Sequence, residues 1–149
     1  MDGESLYRET LRIKGDDFEH GGEAATQVKA LLKQLGLPSA LIRRLSIANF
    51  EAEMNVVMYA REATLDVLVY PDRIHVEVAD RGPGIADIAW AMQAGHSTAT
   101  EAMRARGFGA GLGLPNIQRN TDELEVRSDV GVGTTLRYAV YTTPRPKPG

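Results

Sequence analysis

Residues 63–85 read ATLDVLVYPDRIHVEVADRGPGI. Apolar side chains fall at every second position from Ala63 to Val69 and again from Ile74 to Val78, with Pro71, Asp72 and Arg73 between the runs. A period of two puts alternate side chains on one face of a strand, and two such runs about a short turn make an antiparallel hairpin. The second strand ends on Asp80, and Gly82, Pro83 and Gly84 then break the backbone. A turn needs glycine and proline. It does not need a carboxylate held at the end of a half-buried strand, so Asp80 is a candidate for chemistry as well as for fold.

Working upstream, LYRETLRI at 6–13 alternates and predicts another half-buried strand. KGDDFEHGG is turn-rich, and Ala24, Val28, Leu31, Leu32 and Leu35 recur at helical spacing over 23–35, with Gly36 as a stop. Pro38 falls where a helix begins, and Leu41, Ile42, Leu45, Ala48, Ala52, Val56 and Tyr59 carry a helical pattern over 39–60. Downstream, 85–92 predicts a short helix, 95–113 a long loop bearing glycine and threonine, and 114–121 another helix. A loop of that length is either functional or disordered. LEVRSDVGVGTTLRYAVY then predicts a last hairpin turning at Gly131 and Gly133. Strand, two helices, two strands, helix, loop, helix and two strands predict an α+β domain. Its architecture is a two-layer α/β sandwich, a mostly antiparallel sheet with helices on one face.

The 149 residues suffice for one domain with a real core, expected over 1–143, and the Pro-rich 144–149 are expected to hang loose. Twenty acidic against 17 basic residues leave a net charge of −3, which argues against a nucleic-acid partner. The absence of cysteine excludes disulfides and thiolate metal sites and fits a reducing cytoplasm. No apolar run approaches a membrane span, and the first ten residues are too polar for a signal peptide.

Within the long helix, FEAEMN places Glu51 and Asn55 four apart, on one face. From the helix alone two readings stand. Either both are partly exposed or cap a loop, or Asn55 offers an amide oxygen to a hard cation such as Mg²⁺ and Glu51 is a general base beside it. Glu53 lies about 160° around the helix from Asn55 and is expected to be solvated. At the hairpin end, Asp80 can accept a hydrogen bond from an exocyclic amino group, and Gly82 and Gly84 let backbone approach a flat ring. A plain turn explains those residues too. In GFGAGLGLPN, glycines 107, 109, 111 and 113 free backbone N–H groups to wrap anions just before a helix, where a flexible linker is the alternative. No Lys-Ser or Lys-Thr follows the last glycine, so this is not a P-loop, and no βαβ unit surrounds it, which disfavours a Rossmann site. Thr134 is a good strand former whose hydroxyl could also join a water-mediated contact to a base.

Taken in this order, the four motifs resemble those of the GHKL (Bergerat-fold) ATP-binding superfamily over roughly 6–141. The Glu51/Asn55 helix looks like its N box, DRGPG its G1 box, GFGAGLG its G2 box closing the ATP lid, and GTT its last adenine-side element. The resemblance implies that ATP and Mg²⁺ are held by Asn55, Asp80, Gly82, Gly84, Ile85, Arg106, Gly107, Gly109, Gly111, Leu112, Gly113 and Thr134. Asn55 is the implied metal ligand and Glu51 the implied catalytic residue. Ala99, in HSTAT, stands where many relatives carry a lid lysine, which leaves the γ-phosphate contact to Arg104 or Arg106.

Within the superfamily, SIANFEAEMNVVMYA and GLGLPNIQRNTDELEVRSDVGVGTT resemble the small bacterial serine/threonine kinases of the anti-sigma and stressosome-switch type. That resemblance implies transfer of phosphate to a Ser or Thr of a STAS-domain antagonist or stressosome scaffold protein, in the cytoplasm. It also implies binding of a sigma factor or a phosphatase by some members, and leaves a homodimer open. The alternative is a non-catalytic module whose bound ATP only shapes a partner surface. Glu51 speaks for catalysis, because adenine recognition does not require it. A free-standing ATPase fits less well, since ATPases of this superfamily couple hydrolysis to further domains.

Overall fold

The computed structural model describes residues 5–93 and 113–143. Five strands run β1 (Tyr7–Lys14), β2 (Glu62–Val69), β3 (Arg73–Arg81), β4 (Glu123–Asp129) and β5 (Gly133–Tyr141). They form one sheet in the order β1-β2-β3-β5-β4 with every neighbour antiparallel. The helices are α1 (Glu23–Gln34), α2 (Ser39–Tyr59), the single turn α3 (Ile88–Ala91) and α4 (Gly113–Arg119). None of the described helices is long and apolar enough to cross a membrane.

Register explains the core. Leu11, Leu65, Val78, Leu136 and Val126 lie side by side across the five strands, and Val67, Val76, Tyr138 and Leu124 form the next row. Period-two alternation thus delivers apolar rows to one face, which α1, α2 and α4 cover. The opposite face carries polar rows, with Glu77 on β3 paired to Arg137 on β5 at 2.8 Å and Arg8 to Asp66 at 3.3 Å. A Schellman turn closes α1: Gly36 adopts φ +73°, its N–H bonds Lys33 O at 3.0 Å, and Leu37 N–H bonds Leu32 O at 3.3 Å.

The reading of Glu53 as a solvated acid is corrected. Glu53 is 3% exposed, and its carboxylate accepts the N–H groups of Gly22 (2.9 Å), Ala24 (3.2 Å) and Ala25 (2.8 Å). The N-cap of α1 is Gly22, which has no side chain to satisfy those donors, so a carboxylate from α2 takes them at the positive end of α1. A helix that buried a single side would leave Glu53 in solvent. Instead α2 packs against α1, α4 and the sheet, and its buried residues spread over more than half of its circumference, Glu53 among them. Beneath it, Tyr138 donates its hydroxyl to Asn49 Oδ1 at 2.6 Å, and complete burial raises the tyrosine pKa so that it remains a donor. Glu53→Ala is expected to cost about 3 kcal/mol, the scale of losing charge-assisted bonds to buried N–H groups. Urea denaturation measures it, and a loss below about 1 kcal/mol would mean the carboxylate does not anchor α1.

Candidate functional site

Two clusters meet at the last turns of α2. In the first, Glu51 and Asn55 are half-buried on the face toward the start of α4. Gly113 opens α4 directly over them: a Cβ there would stand 3.0 Å from Asn55 Oδ1 and 3.5 Å from Glu51 Oε2. The last glycine of GFGAGLG is therefore set by close approach to the two polar groups. Burial raises the Glu51 pKa, and a hydrogen bond from the side chain of Asn116 on α4 partly offsets this by favouring the charged form. Asn116 Oδ1 itself accepts from the Arg119 guanidinium one turn on, which leaves its amide nitrogen to face the carboxylate.

The second cluster is the turn after β3. Asp80 Oδ1 accepts the backbone N–H of Thr134 at 2.9 Å, and Oδ2 has no hydrogen-bond partner among the described residues. Burial raises the Asp80 pKa, and the Thr134 bond draws it partly back. A rigid, half-buried carboxylate with one oxygen held and one free is a ready acceptor for an amino group. Gly84 adopts φ +76°, and a Cβ there would meet Asp129 O at 2.5 Å, so only glycine fits. The turn is stitched to the β4–β5 hairpin: Gly82 N–H bonds Val132 O at 3.1 Å, Gly131 N–H bonds Pro83 O at 2.8 Å, and Ile85 N–H bonds Ser128 Oγ at 2.7 Å. Ser128 Oγ also lies 2.8 Å from Thr134 Oγ1, so the Thr134 hydroxyl is engaged within the protein.

Ala60, the C-cap of α2, joins the clusters. A Cβ on Gly82 would lie 3.1 Å from Ala60 Cα, and five residues of helix separate Ala60 from Asn55, roughly 7 Å along the axis. Glu51, Asn55 and Gly113 thus form one group, and Asp80, Gly82, Gly84, Ile85 and Thr134 a second, which touches the end of α2 through Gly82 and Ala60. Arg106, Gly107, Gly109, Gly111 and Leu112, with Ala99 and Arg104, lie outside the described residues. The predicted helix over 85–92 shortens to Ile88–Ala91 because Ser128 holds Ile85, and Asp87 Oδ1 caps the helix at Trp90 N–H (3.0 Å).

Two site residues escaped the sequence reading. Ser128 had a signal: it follows Leu124 and Val126 in the inward register of β4, where a hydroxyl needs a partner. Asn116 had none, since nothing in LPNIQR shows where α4 lands on α2.

Residues 16–139 match the family described as histidine kinase-like ATPase domain. The chain belongs to that family. Among relatives it is 35% identical over 123 residues to an anti-sigma F factor of Caldanaerobacter subterraneus subsp. tengcongensis, spanning 79% of this chain and 82% of the relative. It is 31% identical over 119 residues to the serine/threonine-protein kinase RsbT of Bacillus subtilis, spanning 76% and 84%. In fold it is similar to a chain of the SiaB-SiaC complex from Pseudomonas aeruginosa, with a TM-score of 0.57, 17% identity, and coverage of 91% and 89%. The expected α+β architecture and the GHKL resemblance therefore both hold for this histidine kinase-like ATPase domain.

Proposed function

We propose that this histidine kinase-like domain transfers the γ-phosphate of ATP to a serine or threonine of a STAS-domain partner in a sigma-factor or stress-signalling switch. The observation that carries the reading is Glu51. Adenine and metal binding do not need a second polar group on the Asn55 face, yet a carboxylate stands there, half-buried, beside Gly113. The kinase and anti-sigma names of its relatives support the same class.

Asp80 Oδ2 accepts the adenine amino group, and Gly82 and Gly84 leave room for the ring. The pocket suits Mg²⁺: that ion keeps several waters and takes one or two protein oxygens with phosphate oxygens, and Asn55 Oδ1 faces the seat of Gly113. When bound, the ion neutralises charge on the β- and γ-phosphates. The partner hydroxyl attacks the γ-phosphorus, its proton passes to a Glu51 carboxylate oxygen, and ADP leaves. Most of the catalysis is positioning and charge stabilisation, and Glu51 orients the nucleophile as well as accepting its proton.

Asn55→Ala is expected to remove the Mg²⁺ dependence of nucleotide affinity. Titrations of wild type and variant with Mg²⁺ and with EDTA check this, and unaltered Mg²⁺ dependence in the variant would take Asn55 out of the metal site. The base must be unprotonated, so transfer rises with pH through the Glu51 pKa, which burial sets above the ordinary carboxylate value. Asn116→Ala removes the hydrogen bond that holds this pKa down, so the acid limb of the pH–rate profile should move to higher pH. An unshifted limb would separate Asn116 from the base.

The reading is tested by supplying labelled ATP and Mg²⁺ with STAS-domain proteins, with label expected on Ser or Thr. Tight ATP binding with no label on any of them would favour the binding-module reading.

A further inference from the structure

Beside Glu51, on the side of α1 and α2 turned away from the sheet, runs a trough of about 820 Å³. Ile42, Ile47 and Phe50 line it, Lys29 and Lys33 stand on the α1 wall, and Arg43 stands on the α2 wall. The helical period produces this directly. Lys29 and Lys33 are four apart on α1, while Arg43, Ile47 and Phe50 are four and seven apart on α2. A second hollow of about 750 Å³ shares Lys29 and Phe50 and extends the trough to the start of α1. The lining comes from α1, α2 and the segment joining them, with Gly21 and Gly22 before α1 closing the end of the second hollow.

Three features distinguish it from ordinary surface. Phe50 is 42% exposed, a large aromatic ring beside Gly22 with much of its surface open to solvent. Lys29, Lys33 and Arg43 form no ion pair with another described residue, so a chain of net charge −3 gathers three unpaired cations here, with the carboxylates of Glu51 and Glu23 at the ends of the two hollows. The trough also ends at Glu51. A folded protein that brings a surface hydroxyl to Glu51 from this side rests on the neighbouring helical face.

We propose that the α1–α2 trough docks the phosphate-accepting protein, through an acidic patch on that partner set against Lys29, Lys33 and Arg43 and an apolar side chain seated on Phe50. The proposal rests on the kinase reading, with the chemistry at Glu51 and recognition in the trough. Charge complementarity of this kind steers encounter and sets specificity, while a central aromatic carries much of the affinity.

The test measures binding and transfer separately, with the ATP-loaded chain and a STAS-domain protein. The variants are Lys29→Glu with Lys33→Glu, and Phe50→Ala; Arg12→Glu, an exposed cation on the far face of the sheet, is the control. Affinity for the STAS-domain protein should fall about tenfold or more in both trough variants and hold in the control. ATP affinity should not change in any of them, which also shows that they fold. Raised salt should weaken wild-type binding more than that of the double variant. Wild-type affinity in both trough variants, an equal loss in the control, or no binding by the wild type would overturn the proposal. Trough-dependent binding without transfer would instead keep the docking surface and remove the kinase reading.

Discussion

Glu51→Gln should bind ATP and a STAS-domain partner as the wild type does and transfer phosphate roughly 10²–10⁴-fold more slowly. The amide keeps the size of the side chain and one acceptor oxygen, but it cannot take a proton. Asn116 can still donate to the retained oxygen, so the packing of α4 over α2 should survive. If the transition state is loose and catalysis is mostly placement, the loss falls at the low end of that range. Single-turnover transfer, measured beside nucleotide affinity on the same preparation, separates chemistry from binding. A variant that transfers at the wild-type rate would mean that Glu51 is not the base.

Asp80→Asn should weaken ATP binding roughly ten- to a hundredfold while leaving the fold intact, the scale of losing one charge-assisted hydrogen bond. The geometry gives the reason. Oδ1 is committed to the Thr134 N–H, so an asparagine that keeps this bond must turn its NH₂ to the position of Oδ2. There it meets the adenine amino group, donor against donor. Retaining the Thr134 bond also keeps β5 joined to the turn, so the variant should unfold at nearly the wild-type denaturant concentration. Calorimetric titration giving an unchanged dissociation constant would remove Asp80 from the adenine pocket.

The sheet was legible because apolar residues recur at every second position along each strand, although Glu9 in β1, Asp80 in β3, Ser128 in β4 and Thr134 in β5 interrupt the inward rows. A one-residue slip in the rows through Leu65 and Val67 would turn the whole apolar set outward. The two clusters of the candidate site were legible for a different reason. Asp80, Gly82 and Gly84 are adjacent in sequence, and Glu51 and Asn55 are one helical turn apart, so local geometry places each group before any packing is known. What escaped depends on how distant elements meet. Glu53 reads as a surface acid until α1 arrives with a glycine N-cap and three donors to satisfy. The seat of Gly113 on Asn55, and Asn116 beside Glu51, follow from the docking of α4 onto α2, which periodicity alone does not specify. The trough falls between these cases. Its cationic stripe is readable on α1, but its alignment with Phe50 and Glu51 depends on the pairing of α1 with α2.

The central claim is that the Glu51–Asn55 wall and the Asp80 turn form one ATP pocket that hands phosphate to a protein hydroxyl. The most direct measurement is the fate of the γ-phosphate in one turnover of the ATP–Mg²⁺ complex with a STAS-domain protein, following ADP, inorganic phosphate and phosphoprotein together. The account predicts phosphoserine or phosphothreonine on the partner in step with ADP, with little free phosphate. ADP matched by free phosphate and an unmodified partner would make the chain an ATPase and contradict it.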